Sequence, residues 1–136
     1  MNKEELKQAA GILALTRVRN QAIDQLPAEY RPVDEIEAYL VQEQVHLLLD
    51  EAGYGKRVGY KIGCTTQVMQ KFLEIDSPCS GGILNTSTNY IATSAQHQNF
   101  SHPGVECEIA AFIAVSYTHL RAHETRHDLV CRLLLE

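Results

Sequence analysis

Residues 58–84 read VGYKIGCTTQVMQKFLEIDSPCSGGIL. The stretch opens as a strand: in "KRVGYKIG", residues 56–63, β-favouring Val, Tyr and Ile alternate with glycines that permit close backbone approach. "TTQVMQKFLEI", residues 65–75, predicts a short helix capped by Thr65. "DSPCSGGIL", residues 76–84, predicts a loop rich in turn formers that leads into a second short strand. A strand, a short helix and a strand within 27 residues differ in texture from everything upstream.

Upstream the pattern is helical. Residues 3–26 place apolar side chains at Leu6, Ala9, Ala10 and Leu13 and, less regularly, at Val18, Ala22 and Ile23, with a break expected near Asn20. "LPAEYRPVD", residues 26–34, carries two prolines and predicts a connector. A second helix is expected from Asp34, whose carboxylate caps it and whose partner Glu37 completes a capping-box signature. Ile36, Leu40, Leu47 and Leu48 form its expected buried stripe, and Gly53 its stop. Downstream, residues 85–104 predict strand fragments and turns, and "VECEIAAFIAV", residues 105–115, a strand entering a core. Helices first and strands later specify α+β rather than a βαβ repeat.

Composition bounds the function. A chain of 136 residues is one domain by default and long enough for a core. Net charge is -5, and no basic stripe is available to neutralise phosphates, which argues against nucleic-acid and membrane-surface partners. No apolar run approaches the roughly 18–20 residues of a spanning helix, and the N-terminus is amphipathic rather than signal-like. A soluble, cytoplasmic protein is expected. Cys64, Cys79, Cys107 and Cys131 show no metal-knuckle spacing and read as reduced thiols.

Three motifs carry candidate chemistry. In "HPGVECEIAAF", residues 102–112, strand alternation points Glu106 and Glu108 to one face. Two same-face carboxylates suit a hard divalent cation, although an exposed strand face would also tolerate the pair. Lys61 in "GYKIG" is either an inward charge beside an anionic substrate or a lysine on the solvent face of an edge strand. In "SPCSGG", residues 77–82, the Gly81–Gly82 pair after a proline turn can bring backbone N–H groups to a ligand or can simply turn the chain. Cys79 has no activating histidine nearby in sequence.

In combination these pieces resemble the 2-keto-4-pentenoate hydratase branch of the fumarylacetoacetate hydrolase superfamily. The resemblance runs over roughly residues 31–113 and rests on "RPVDEIEAYLVQEQV", "VGYKIGCTTQVMQKFLEIDSP" and "HPGVECEIAAF" in that order and spacing. It implies a mixed, β-rich fold entered after the N-terminal helices, and activity on small 2-oxo acids in the catabolism of aromatic ring-cleavage products. It implies Mg²⁺ or Mn²⁺ held by Glu106 and Glu108 with a third carboxylate further along a longer chain. It also implies that Lys61 lies in the active site near the substrate, with Gly81 and Gly82 in the substrate-binding loop, and that a full-length parent is a homo-oligomer. One position departs: where many relatives carry an acidic acid/base residue, this chain has Cys79 followed by Ser80. A thiol does not replace a carboxylate in proton transfer without a retuned pKa. A 2-oxo acid decarboxylase or C–C hydrolase of the same superfamily is therefore the nearest alternative, and a non-catalytic relative a further one.

The C-terminal stretch reads differently. His119, His123 and His127 would stack on one helical face, with Glu124 adjacent, and could hold zinc in a non-catalytic binding module. However, "VSYTHLRAHET", residues 115–125, is similar to one reading frame of a common transposase-type sequencing adapter, and "LVCRLLLE", residues 129–136, to the flow-cell primer that follows it in that frame. The interval between them, from the last base of Thr125 to the first base of Asp128, has the length of an index barcode. Residues 1–114 are accordingly expected to be the N-terminal part of one hydratase-like domain, inactive as a fragment, and 115–136 a translated adapter, with Ala114 at the junction. The tail's three basic and three acidic residues (Arg121, Arg126 and Arg132 against Glu124, Asp128 and Glu136) leave the remainder also at -5. Reading an intact genomic copy through this junction should show a different continuation after about residue 114. The same tail, encoded there by different codons, would overturn the adapter reading.

Overall fold

The computed structural model describes residues 1–91, 93–101 and 103–112, together with the backbone of residues 129–135. In chain order the elements are α1 (Lys3–Val18), α2 (Glu35–Glu51), β1 (Arg57–Gly63), α3 (Gln67–Phe72), β2 (Cys79–Leu84), β3 (Val105–Ala111) and β4 (Leu129–Leu135). Helices precede antiparallel strands, an α+β arrangement. The chain divides into two compact units, Met1–Thr93 and Ser94–Glu136. No helix among the described residues is long and apolar enough to cross a membrane.

Local chemistry sets the helix ends. Asn2 Oδ1 accepts from the N–H groups of Glu4 and Glu5, and Glu5 returns a carboxylate oxygen to the Asn2 N–H, so α1 starts on a full capping box. Asp34 caps α2 through the Glu37 N–H. The Glu37 carboxylate does not close the expected box; it accepts from Val33 N–H and pairs with the N-terminal amine. Those contacts, the amine first, hold the Glu37 carboxyl below its ordinary value. Thr66, not Thr65, caps α3, because its hydroxyl is the one that accepts from the Met69 N–H.

Each of the three α-helices among the described residues stops on a left-handed residue: Asn20 (φ 51°), Gly53 (φ 83°) and Glu74 (φ 55°). In each case the next residue's N–H reaches back to the carbonyl five positions earlier: Gln21 to Thr16, Tyr54 to Leu49 and Ile75 to Gln70. These are Schellman motifs, which satisfy the last carbonyls of the helix. The break expected near Asn20 and the stop at Gly53 both have this origin.

The core of the first unit joins α1 to α2. Ala9, Ala10 and Ala14 of α1 pack with Val41, Val45 and Leu49 of α2 and with Leu84 of β2. The small side chains of α1 let the helix axes approach, and the row at 41, 45 and 49 fills the space between them. This corrects the expected stripe. Ile36, Leu40 and Leu47 are 74%, 52% and 57% exposed, and of that stripe only Leu48 packs against the core. Helical periodicity admits both rows of α2, and contact with the alanine face of α1 selects one of them.

Strands β1 and β2 form an antiparallel pair that runs from Arg57↔Leu84 to Gly63↔Cys79, with a bulge at Val58. The described residues of 85–104 carry two 3₁₀ turns, Asn85–Ser87 and His97–Asn99, in place of the expected strand fragments. The Ser, Thr and Asn hydroxyls and amides that dominate this stretch turn the backbone locally instead of pairing it; Ser87 and Thr88, for example, both return hydroxyls to the Leu84 carbonyl. In the second unit β3 pairs antiparallel with β4, Val105↔Leu135 through Ala111↔Leu129. The residues of β4 fall in the segment expected to be adapter-encoded. An apolar run of this kind pairs with any open strand edge, whatever its origin.

Core placement makes a contrast that denaturant titration can read. Leu49→Ala should lose about 2–5 kcal/mol, the usual range for a fully buried leucine, whereas Leu47→Ala should stay within about 0.5 kcal/mol of the parent. Equal losses would contradict the assigned face.

Candidate active site

Lys61, Gly81, Gly82 and Cys79 lie together on the β1–β2 pair; Glu106 and Glu108 lie on β3, in the other unit. The two groups are described separately.

Burial alternates along β1 in an unusual sense. Arg57, Gly59, Lys61 and Gly63 are half-buried, while Val58, Tyr60 and Ile62 are more than half exposed. The bulge at Val58 puts Lys61 on the face opposite to that of Arg57. It is paired in register with Gly81, and its stem passes 3.4 Å from where a Gly81 side chain would begin. The glycine lets the aliphatic part of the lysine lie flat on β2.

A polar row on α2 faces the same pair of strands. Tyr39, Gln42, Glu43 and His46 follow helical spacing and share one side of the helix. The Tyr39 hydroxyl accepts from the Ser80 N–H at 3.0 Å and from the Ser80 hydroxyl at 3.4 Å. Gln42 donates to the Ser80 carbonyl at 3.0 Å. An edge strand must satisfy its outward N–H and C=O groups, and at Ser80 side chains of α2 take both. Glu43 pairs with Arg57, whose guanidinium also lies 4.7 Å from the centre of the Tyr60 ring.

His46 completes the row. An Arg57 N–H points at its Nδ1 across 3.4 Å, which requires that nitrogen to be unprotonated. Burial first, and the adjacent guanidinium second, pull the His46 pKa below its ordinary value. The ring also lies against Gly82: a Cβ there would fall 2.5 Å from His46 Cε1 and 3.0 Å from Arg57 Cδ. Gly81 and Gly82 thus sit inside β2, opposite Lys61 and Tyr60, and not in the expected turn. Close packing of His46 and Arg57 is what excludes a side chain at Gly82, whereas a Cβ at Gly81 would make ordinary contact with Lys61.

Cys79 begins β2. Its Sγ lies 3.6 Å from that of Cys64, which follows β1 in a left-handed conformation (φ 56°). The Gln70 amide donates to the Cys64 carbonyl at 2.8 Å and ties α3 to this corner.

On β3, Glu106 and Glu108 occupy alternate positions of a regular strand, with Glu106 exposed and Glu108 half-buried. They stand opposite positions 134 and 132 of β4 in register. Two carboxylates on one face give hard oxygen donors, and Cys107 between them belongs to the other face. That donor set fits a magnesium-like ion, which takes one or two carboxylates and fills its remaining positions with water and substrate oxygens. Among the described residues no group of three His, Cys, Asp or Glu side chains converges. The histidines considered for zinc, His119, His123 and His127, lie outside the described residues, as does Glu124. No protein-family model and no curated protein matches the chain.

Sequence reasoning missed Tyr39, Gln42, Glu43, His46, Arg57 and Ser80. The first four form a polar row at i, i+3, i+4 and i+7 on α2, a pattern present in the sequence, whereas Arg57 and Ser80 join them only through strand pairing.

His46 gives a pH test. Its folded-state pKa is depressed, so as pH falls through about 6.5 the unfolded chain gains a proton that the folded chain refuses, and stability present above that pH is lost. Between about pH 7.5 and pH 5.5 the denaturation midpoint of the parent should drop further than that of His46→Gln. Identical drops would show that the ring is not held neutral by its surroundings.

Proposed function

We propose that residues 1–114 are the N-terminal part of a divalent-metal-dependent hydratase of the fumarylacetoacetate hydrolase superfamily, acting on small 2-oxo acids of the 2-keto-4-pentenoate type. The observation that carries this reading is the E-x-E of β3: Glu106 and Glu108 occupy alternate positions of one regular strand, as a pair of ligands to one ion must. Lys61 supports it as a half-buried lysine of β1, beside Gly81.

Each residue then has a chemical role. Glu106 and Glu108 would hold Mg²⁺ or Mn²⁺, which when bound supplies Lewis acidity to the 2-oxo acid end of the substrate. The Lys61 ammonium offers a compact positive charge to a substrate carboxylate or to a water. Hydration across a distal alkene needs a group that moves protons, and Cys79 occupies the place where the resembling family carries a carboxylic acid. A thiol at that place also fits decarboxylation or C–C hydrolysis of a related 2-oxo acid, which is the second reading. The partner class is a small-molecule anion, the working form a homo-oligomer of the full-length parent, and the compartment the cytoplasm.

Manganese binding followed by electron paramagnetic resonance tests the metal assignment in this chain. Glu106→Gln and Glu108→Gln should each weaken Mn²⁺ binding by more than about tenfold, since even outer-shell partners of a metal are worth that much. In the full-length parent the same substitutions should abolish turnover of 2-oxo acids. If both variants bind Mn²⁺ as the parent chain does, the assignment fails.

A further inference from the structure

Two thiols with no assigned joint role meet at the corner between β1 and β2. Cys79 pairs in register with Gly63, and the left-handed turn that follows Gly63 brings the next side chain, Cys64, back across the strand pair. The two sulfur atoms stand 3.6 Å apart with the Cys79 thiol donating to Cys64. A Cβ at Gly63 would make ordinary contact with Cys79 Sγ, at 3.4 Å. Both thiols are free, Cys79 exposed and Cys64 half-buried. A disulfide needs the sulfurs to close from 3.6 Å to about 2.05 Å.

We propose that Cys64 and Cys79 form a reversible dithiol–disulfide site whose reactant is a low-molecular-weight disulfide, and that closing it pins the end of β1 to the start of β2. The exposed Cys79 thiolate attacks one sulfur of the small disulfide, forming a mixed disulfide and releasing one small thiol. Cys64 then attacks the Cys79 sulfur, the protein disulfide forms, and the second small thiol leaves with the remaining proton. Two protein thiols are oxidised and one small disulfide is reduced to two thiols. The order follows from the surroundings. Cys79 is exposed and Cys64 half-buried, so a small disulfide in solution reaches the Cys79 sulfur first.

The closed form encloses residues 64–79, including α3, in a covalent loop. It also removes the Cys79 thiol from proton transfer, so an enzyme using that thiol would be silenced by oxidation. The dithiol site itself does not rest on the proposed hydratase reading, and its test uses no turnover.

The full chain is equilibrated with oxidised and reduced glutathione at fixed ratios, quenched with an alkylating agent, and mapped by mass spectrometry. The expected product has lost the mass of two hydrogens and yields a peptide pair linked through Cys64 and Cys79, with Cys107 and Cys131 alkylated. The glutathione ratio at half-oxidation should be at least tenfold more reducing for the folded chain than for the chain in concentrated urea. Cys64→Ser should instead retain one glutathione on Cys79, because the resolving thiol is gone. Half-oxidation at the same ratio with and without urea would overturn the proposal, as would links mapped to other cysteines, or a stable glutathione adduct on Cys79 in the parent chain.

Discussion

Helix α2 is committed on two sides, and the rest of the first unit follows from that. One side carries Val41, Val45 and Leu49 into the alanine face of α1. Another carries Tyr39, Gln42, Glu43 and His46 to the β1–β2 pair. The first contact is apolar and supplies stability through burial. The second is polar and directional, and it sets where the strands lie. An isolated two-stranded pair is marginal in water. Here the hydrogen bonds to Ser80, each worth on the order of 1 kcal/mol net, fasten β2 by its edge, and Leu84 sets the far end of that strand into the core.

The bulge at Val58 divides the residues of β1 between two faces. Arg57, Tyr60 and Ile62 pair with Leu84, Gly82 and Ser80 on the face that meets α2, and Lys61 pairs with Gly81 on the other. Arg57 reaches Glu43 and the Tyr60 ring, and the lack of a side chain at Gly82 gives Arg57 and His46 room. The redox corner at Cys64 and Cys79 closes the same strand pair at its other end.

Much of the fold was legible in the sequence because local chemistry wrote it. The Asp34 cap, the Gly53 stop, the break at Asn20 and the strand at Val105–Ala111 all follow from residue type and spacing. What was not legible depended on partners distant in sequence. Ile36, Leu40 and Leu47 satisfy helical periodicity as well as the true core row does, and only the alanines of α1 choose between them. Gly81 and Gly82 read as a turn because the preceding proline suggests one; the register with Lys61 and Tyr60 makes them strand. The same holds for the site. Lys61, Cys79, Glu106 and Glu108 could be singled out by residue type, but the approach of Cys64 to Cys79 and of His46 to Gly82 depends on how β1 and β2 pair and dock.

The dependence of the strand pair on the polar row of α2 can be measured directly by amide hydrogen exchange in the Tyr39→Phe/Gln42→Ala double variant. Loss of the Ser80 contacts should lower protection by about tenfold or more across Arg57–Gly63 and Cys79–Leu84, for roughly 2 kcal/mol of lost hydrogen bonding. Protection in α1 and α2 should be retained, because their apolar contact is untouched. Unchanged protection in the strands, or an equal fall in helices and strands alike, would contradict the claim that the polar side of α2 holds the β1–β2 pair in place.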